Sequence, residues 1–532
     1  MARATGVKNV AAASRPAGLA RLKEGTVVLM ICVLLIGAYS LGSFIYFRTA
    51  GIELSDSARF GWDTWEYQSM AANFAAGHGL KFGAIEEFSF YKFTQTGDQV
   101  FGDAGLKGYN NFLDIGSRGG SYNFYRTPGY PVFLGVLYKI FGVSPRVARV
   151  SQVFLVILIA AFLPLVGFAY WRLNGFMAGV AAGNILMSTY VYIHNMQDEL
   201  LTEPLIMFSA FVILLMFVLW ERRKSAASSA ALGAVMGAGI LVKGSLIFTP
   251  VLTCVYFLYL MKRKMLSASR LAAFVCGVAV VILSWSAFAS ITEGRLIFLS
   301  TEGGQLLLET NSVVAKDGTW HAKPIDPFYE RPEIKALPGP LKVIFYYLNH
   351  RELLPSIFVN KINAGFNGFF FFKTTILFLL FGMLISTLKS IDDGEKLKAV
   401  AYIRRLLSFL MAIYLLWTVI VITVVLFKLQ LPLAAALVFT NIINLMPSGT
   451  LLIYIFIVYF GVSYAFTKKA DIDIPVSFAM LFLNFFLITI IFYGHPRHVK
   501  VIDFIFILTA MQAVFSTAAR LFGAAHLDAV KG

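Results

Sequence analysis

Charged residues are scarce in this chain: Lys, Arg, Asp and Glu make up 14% of its 532 residues, against about a quarter in an average soluble domain. With 58% of residues hydrophobic and a mean hydropathy of +0.73, there is too little polar surface to cover a soluble fold of this size, and that class is excluded. Cysteine is nearly absent. Cys32, Cys254 and Cys276 all fall within apolar runs, which argues against a disulfide framework or a cysteine metal centre. A nucleotide-binding loop is missing too: Gly303-Gly304, inside Ser300–Gln305, lacks the strand, helix and lysine that such a loop needs. It reads as a turn, one able to shape a cleft. His78, His495 and His498 lie in neither a zinc-protease helix nor a Cys/His ligand spacing, so they give no metal assignment.

Apolar runs of about 20 residues, the length that crosses a bilayer as a helix, are abundant. They predict spans near 26–46, 147–170, 175–193, 203–220, 227–242, 245–261, 270–291, 367–388, 406–427, 450–466, 474–493 and 500–519. The first follows Arg3, Lys8, Arg15, Arg21 and Lys23, as a signal peptide would, but it is long for one and lacks a small-residue cleavage site. An uncleaved span is expected. The net charge of +16 does not form a basic face for nucleic acid; it comes mainly in short clusters between apolar runs. Arg172, Arg222 to Lys224, Lys262 to Lys264 with Arg270, Lys389 to Arg405, and Lys468 with Lys469 all fall on the side of the N-terminal tail, which the positive-inside rule makes the cytoplasm. Residues 431–446 would invert this order as a full span, so they are expected to be re-entrant or to lie along the outer surface.

The expected fold is thus an all-α polytopic membrane protein with about 12 to 13 transmembrane helices and two long outer, periplasmic segments carrying interfacial helices. Its parts are a cytoplasmic tail over 1–25, a catalytic transmembrane module over 26–291 that includes the outer segment 47–146, a second outer segment over 292–366, and C-terminal helices over 367–532. A bacterial inner membrane is the expected location. Such long segments are far beyond typical connections and point to function.

In the first outer segment, Tyr67, Met70, Ala71 and Phe74 recur at helical spacing. They predict a helix from Asp63 to Ala76 lying along the membrane surface. Asp63 with Glu66 three residues on resembles a capping box; the same placement lets a carboxylate meet an acceptor hydroxyl and a lipid-borne donor together. A second helix is expected to start at Pro128-Gly129 and run to Phe141. Asp198, Glu199 and Glu203 share a short outer loop with His194. Glu203 before Pro204 suits an ordinary helix start, while the three acids could instead orient an acceptor, hold a divalent cation or pair with a phosphate-binding cation. The residues leave these open.

Three outer cations stand apart: Arg126, Lys243 in Val242-Lys243-Gly244, and Arg497 in His495-Pro496-Arg497-His498. Positive charge in short outer loops opposes the inside bias, so Lys243 and Arg497 need a reason. Binding a lipid carrier's phosphate is one, worth on the order of 4 kcal/mol at about 4 Å before desolvation. Snorkelling to headgroups is the other.

These motifs in this order resemble bacterial lipid-linked sugar transferases of the GT-C superfamily, of the protein O-mannosyltransferase and aminoarabinose-transferase type. Asp63 with Tyr67, then Met70-Ala71 and Gly77-His78-Gly79-Leu80, is similar to that family's acidic residue followed by Tyr, Leu-Ala and Gly-x-Gly-Phe. Residues 125–142 are similar to its Arg-x-Pro-Gly-Tyr-Pro helix, and 200–208 to its Ser/Thr-Glu stretch. Residues 300–311 resemble its Gly-rich turn, with Glu309-Thr310-Asn311 in place of Gly-Asn-Asn; residues 495–506 resemble its late Arg-Tyr motif, with His498 in place of Tyr.

The resemblance implies an inverting glycosyltransferase that moves a sugar from a polyprenyl-phosphate carrier to a hydroxyl on a lipid, glycan or protein at the outer face. Asp63 would be the base; Glu66, Tyr67, His78, Asp198, Glu199 and Glu203 would position acceptor or donor; Arg126, Lys243 and Arg497 would bind the donor phosphate. No cofactor is assigned, a divalent cation stays open, and membrane lipids but no nucleic acid are expected partners. A transporter or flippase shares the many spans but should carry ionisable residues near the midplane or repeated halves. An outer-face glycan polymerase or ligase, or a scaffold, is the remaining alternative.

Overall fold

A computed structural model of the chain describes residues 15–49, 62–81, 122, 124–193, 200–319, 326–366, 475–495 and 500–529. Among them the chain is helical throughout, with one isolated bridge, Lys81 to Tyr122, and no strand. Besides single turns, the helices are α1 (Arg15–Thr49), α2 (Trp62–Ala75), α3 (Gly129–Phe141), α4 (Pro145–Met187), α5 (Glu203–Arg223), α6 (Ala226–Val242) and α7 (Phe248–Lys262). They continue with α8 (Ala268–Glu293), α9 (Glu302–Glu309), α10 (Gly339–Asn349), α11 (Leu353–Phe366), α12 (Val476–Ile491) and α13 (Asp503–Ala529).

Five described stretches are long and apolar enough to cross a membrane: Glu24–Thr49, Pro145–Tyr190, Glu203–Arg223, Gly244–Lys262 and Ala268–Glu293. The chain is a helical membrane protein. The second stretch, 46 residues long, is about twice what one crossing needs. It folds back at Trp171 and Arg172, whose backbone leaves the helical region. A Cβ on Gly167 would lie 2.0 Å from the carbonyl oxygen of Gly175, one on Gly179 2.4 Å from Cα of Pro164, and one on Gly183 2.5 Å from the carbonyl oxygen of Ala160. The partners descend along one arm as they climb the other, so α4 is an antiparallel hairpin with a glycine seam. Its two arms coincide with the apolar runs expected over 147–170 and 175–193.

The same device joins α6 to α8. A Cβ on Gly233 would sit 2.1 Å from the carbonyl oxygen of Phe274, and one on Gly277 2.1 Å from that of Ala230. Small residues let membrane helices approach closely where no hydrophobic drive separates lipid from side chain. Under them Trp220 stacks on Phe257 at 4.6 Å and donates its indole N–H to Ser229 Oγ at 2.9 Å.

The alternation of α4 to α8 sorts the charges. Arg172, Arg222, Arg223, Lys224, Lys262, Arg263, Lys264 and Arg270 fall at the turns of one end. At the other end gather α2, α3 and the segment from α9 to α11. Here α2 departs from the sequence expectation. Its face of Tyr67, Met70 and Ala71 is buried in protein, against Tyr130, Leu134 and Tyr138 of α3 and Trp285 and Ala289 of α8. Gly135 makes room for this: a Cβ there would meet Phe74 Cδ1 at 2.6 Å. Each large apolar side chain so covered contributes roughly 1.5–3 kcal/mol. The expected runs over 367–388, 406–427, 431–446 and 450–466 lie outside the described residues.

Candidate functional site

Helix α2 begins at Trp62, so Asp63 sits inside its first turn, where a carboxylate suits the helix dipole, rather than at the N-cap of the expected capping box, and Glu66 follows in the second turn. Both acids face one cation. Arg126 reaches across from the loop before α3 and donates Nη2 to Asp63 Oδ1 at 2.7 Å and Nε to Glu66 Oε2 at 2.5 Å. Its Nη1 donates to Glu302 Oε1 at 2.5 Å. A planar guanidinium with its donors in a fixed fork is the side chain able to hold several carboxylates at once. The guanidinium carbon also stands 5.6 Å from the ring centre of Tyr67 and 5.1 Å from that of Tyr125, a cation–π cradle.

Glu302 is the residue that sequence reading missed. Gly303-Gly304 was expected as a turn, yet both lie in the first turns of α9, which starts at Glu302. What brings Glu302 to Arg126 is backbone pairing: the N–H of Thr301 donates to the carbonyl of Phe124 at 2.9 Å and that of Glu302 to the carbonyl of Tyr125 at 3.3 Å. Nothing local in the sequence signals a pairing this distant.

The cluster carries three carboxylates on one cation. Burial pushes the Glu66 carboxyl above its ordinary value, against the pull of Arg126. For Arg126 burial disfavours the charge, but Tyr67, Glu302, Glu66 and Asp63 more than offset it and hold the guanidinium firmly protonated. Burial and then Glu302 push the Tyr125 phenol up to about 12, and burial raises that of Tyr67. Asp63 keeps 30% of its side chain exposed while Arg126 keeps 11%. The aspartate is thus oriented by a buried cation and still open to a second molecule.

Glu203 and Lys243 form a neighbouring pair. Glu203 opens α5 with Pro204 in the first turn, as expected, and accepts from Lys243 Nζ at 3.3 Å. Lys243 follows the last residue of α6, and the Arg126 loop is locked onto that same end. Thr127 Oγ1 donates to the carbonyl of Val242 at 3.0 Å, and a Cβ on Gly129 would stand 2.6 Å from Val242 N and Cα. Tyr67 meets Tyr130 edge to face at 5.1 Å, Tyr130 accepts from Gln152 Nε2 at 2.8 Å, and Gln152 also donates to the carbonyl of Leu201 at 2.9 Å. The acid of α2, the cation before α3 and the pair between α5 and α6 are therefore one connected region.

His78 lies beyond it, exposed in the turn after α2, where Gly77 and Gly79 adopt φ of +86° and +80°. These left-handed positions explain the Gly-x-Gly spacing, and a Cβ on Gly79 would press on the Tyr122 hydroxyl at 3.1 Å. Asp198, Glu199, His194, Arg497 and His498 lie outside the described residues. Among the described residues no group of three His, Cys, Asp or Glu side chains is arranged to hold a metal.

Asn311 is the hub of a second polar node. Its Nδ2 donates to the carbonyls of Leu307 and Ile491, both at 2.8 Å, and its Oδ1 accepts from Lys361 Nζ at 2.6 Å and the Tyr347 hydroxyl at 3.1 Å. Lys361 is 1% exposed and donates also to Ile490 and Ile491 carbonyls at the C-terminus of α12. There the helix dipole favours a cation, yet burial lowers the ammonium to about 7. The node ties the end of α9 to α11 and α12.

Comparison with known proteins finds no matching family model, no matching curated protein and no matching solved structure.

Proposed function

We propose that this chain is an inverting membrane glycosyltransferase, GT-C-like, that transfers a sugar from a polyprenyl-phosphate carrier to an acceptor hydroxyl. The observation that carries the reading is Asp63: half-open, in the first turn of a helix at the end of the bundle opposite the basic turns, and aimed by a buried arginine. In the proposed reaction Asp63 takes the proton of the acceptor hydroxyl as its oxygen attacks the anomeric carbon. The bond from that carbon to the phosphate oxygen breaks, and the polyprenyl phosphate leaves with the electron pair. A positioned base of this kind supplies about a hundred- to ten-thousand-fold.

Roles shift from those the sequence suggested. Arg126 is occupied by carboxylates, so in this reading it orients Asp63, while Lys243, 23% exposed beside Glu203, meets the departing phosphate together with Arg497. Glu66 and Glu302 flank the base, and Tyr67 supports Arg126. Placement of the site at a membrane end fits a donor whose tail stays in the bilayer. The sorting of basic turns to the opposite end supports an outer-face site and a cytoplasmic N-terminus; about 12 to 13 spans in a bacterial inner membrane complete the proposed setting.

The test is transfer from a panel of purified polyprenyl-phosphate sugars by wild type and Asp63→Asn, both shown to be folded. The variant should lose at least a hundredfold in rate. Full transfer by it would sink the assignment, and a loss of tenfold or less would leave Asp63 a first-turn acid that only supports the helix start.

A further inference from the structure

Helix α10 carries an exposed apolar stripe that no described residue covers. Leu341, Ile344, Phe345 and Leu348 fall at i, i+3, i+4 and i+7, one face of a helix, and are 41–53% exposed. The opposite face is committed: Tyr346 is buried against Phe328 and Tyr329, with ring centres 5.2 and 5.3 Å away. The stripe continues onto α11, where Leu354, Phe358 and Val359 are exposed as well.

What lies against it follows from where α11 goes. Its C-terminal turn packs Phe366 onto Phe482 and Phe486 of α12, an apolar helix, at 6.2 and 6.0 Å. In sequence α11 runs straight into the apolar run over 367–388, an expected span. The helix that carries the end of the stripe therefore leads, in sequence, into an expected membrane span. Its seven side chains present on the order of 500 Å², short of the roughly 800 Å² per partner of a stable protein interface. Its margins hold both signs, with Lys335 paired to Glu330 at 2.9 Å and His350 near Glu352 at 3.7 Å. Insertion of apolar side chains, with no need of anionic lipid, is what such a surface offers.

We propose that α10 is an interfacial helix lying on the surface of the same bilayer, with Leu341, Ile344, Phe345 and Leu348 set among phospholipid headgroups and upper acyl chains. Interfacial helices are expected in both outer segments, and α10 is the one proposed for the second. This inference does not depend on the glycosyltransferase reading.

The experiment uses the full chain with Cys32, Cys254 and Cys276 replaced by alanine, Ile344→Cys labelled with an environment-sensitive fluorophore, and reconstitution into phosphatidylcholine vesicles. Nitroxide-bearing phosphatidylcholine should quench the label several-fold more than iodide does, with blue-shifted emission. Leu348→Cys should behave alike, and Glu352→Cys, 70% exposed in its side chain, should show the reverse. Equal iodide quenching at positions 344 and 352 would overturn the proposal in favour of a water-facing stripe. Blue-shifted emission without nitroxide quenching, joined by oxidative crosslinking of Ile344→Cys between chains, would overturn it in favour of a second copy.

Discussion

The arginine at the centre of the cluster gives the sharpest test of the electrostatics. Replacing Arg126 by Met keeps most of the stem's apolar volume and removes the guanidinium, leaving Asp63, Glu66 and Glu302 to face one another. Breaking a buried ion pair by removing one partner costs about 3–5 kcal/mol. Water reaches Asp63 and Glu302, whose side chains are 30% and 29% exposed, more than Glu66 at 17%, so the lower end, about 3 kcal/mol, is expected at pH 8. The pH dependence is the diagnostic part. Glu66 already has its folded value raised by burial; stability tied to its protonated form is present below the ordinary carboxyl range and lost as pH rises through the folded value. Without Arg126 that value rises further, so the penalty should shrink by more than half at pH 5. Unfolding free energies from graded detergent titration at the two pH values would show it, and adding Glu66→Gln should recover about 1 kcal/mol at pH 8. A variant within about 1 kcal/mol of wild type at both pH values, or a penalty identical at both, would refute the reasoning.

Gly129→Ala should act without touching a charge: its Cβ would stand 2.6 Å from Val242 backbone atoms, forcing the Arg126 loop off α6 at a cost of about 1–3 kcal/mol, and transfer should fall more than Asp63 accessibility to a carboxyl reagent does. Lys361→Met removes a buried ammonium whose folded value is lowered to about 7. Stability linked to such a group is fully present above its unfolded value of about 10.4 and is lost as pH falls through about 7. Wild type should therefore gain on the order of 4 kcal/mol between pH 7 and 10.5 from this group alone, while the variant stays flat across that window in the same titration.

How far the sequence could be read follows from which interactions are local. The start of α3 at Gly129 and the opening of α5 at Glu203 are set by neighbours within a turn or two and stand as expected, and the five long apolar stretches among the described residues fall on expected runs. Even the α4 hairpin was legible, because Arg172 interrupts two runs. Helix α2 was misplaced for a physical reason: a stripe of Tyr67, Met70 and Ala71 is the same whether lipid or protein covers it. The covering agent, α3 with Gly135 opposite Phe74, lies some sixty residues away. Glu302 was out of reach altogether, since its partner Arg126 is 176 positions distant and two backbone bonds, from Thr301 and Glu302 to the loop before α3, bring them together.

That one contact changes the chemistry the cations can perform. A guanidinium facing Asp63 alone would form a neutral pair, but with Glu66 and Glu302 added, a protonated Arg126 is outnumbered even if Glu66 holds its proton. An incoming phosphate would then meet an acidic rather than a basic pocket beside Arg126, and at a dielectric near 20 each unit of like charge at about 4 Å costs on the order of 4 kcal/mol. Among the described residues Lys243 pairs with one carboxylate, Glu203, and is twice as exposed as Arg126. If a lipid-borne phosphate binds at this end of the bundle, Lys243 is where the balance of charge lets it approach, and Arg126 serves to orient Asp63.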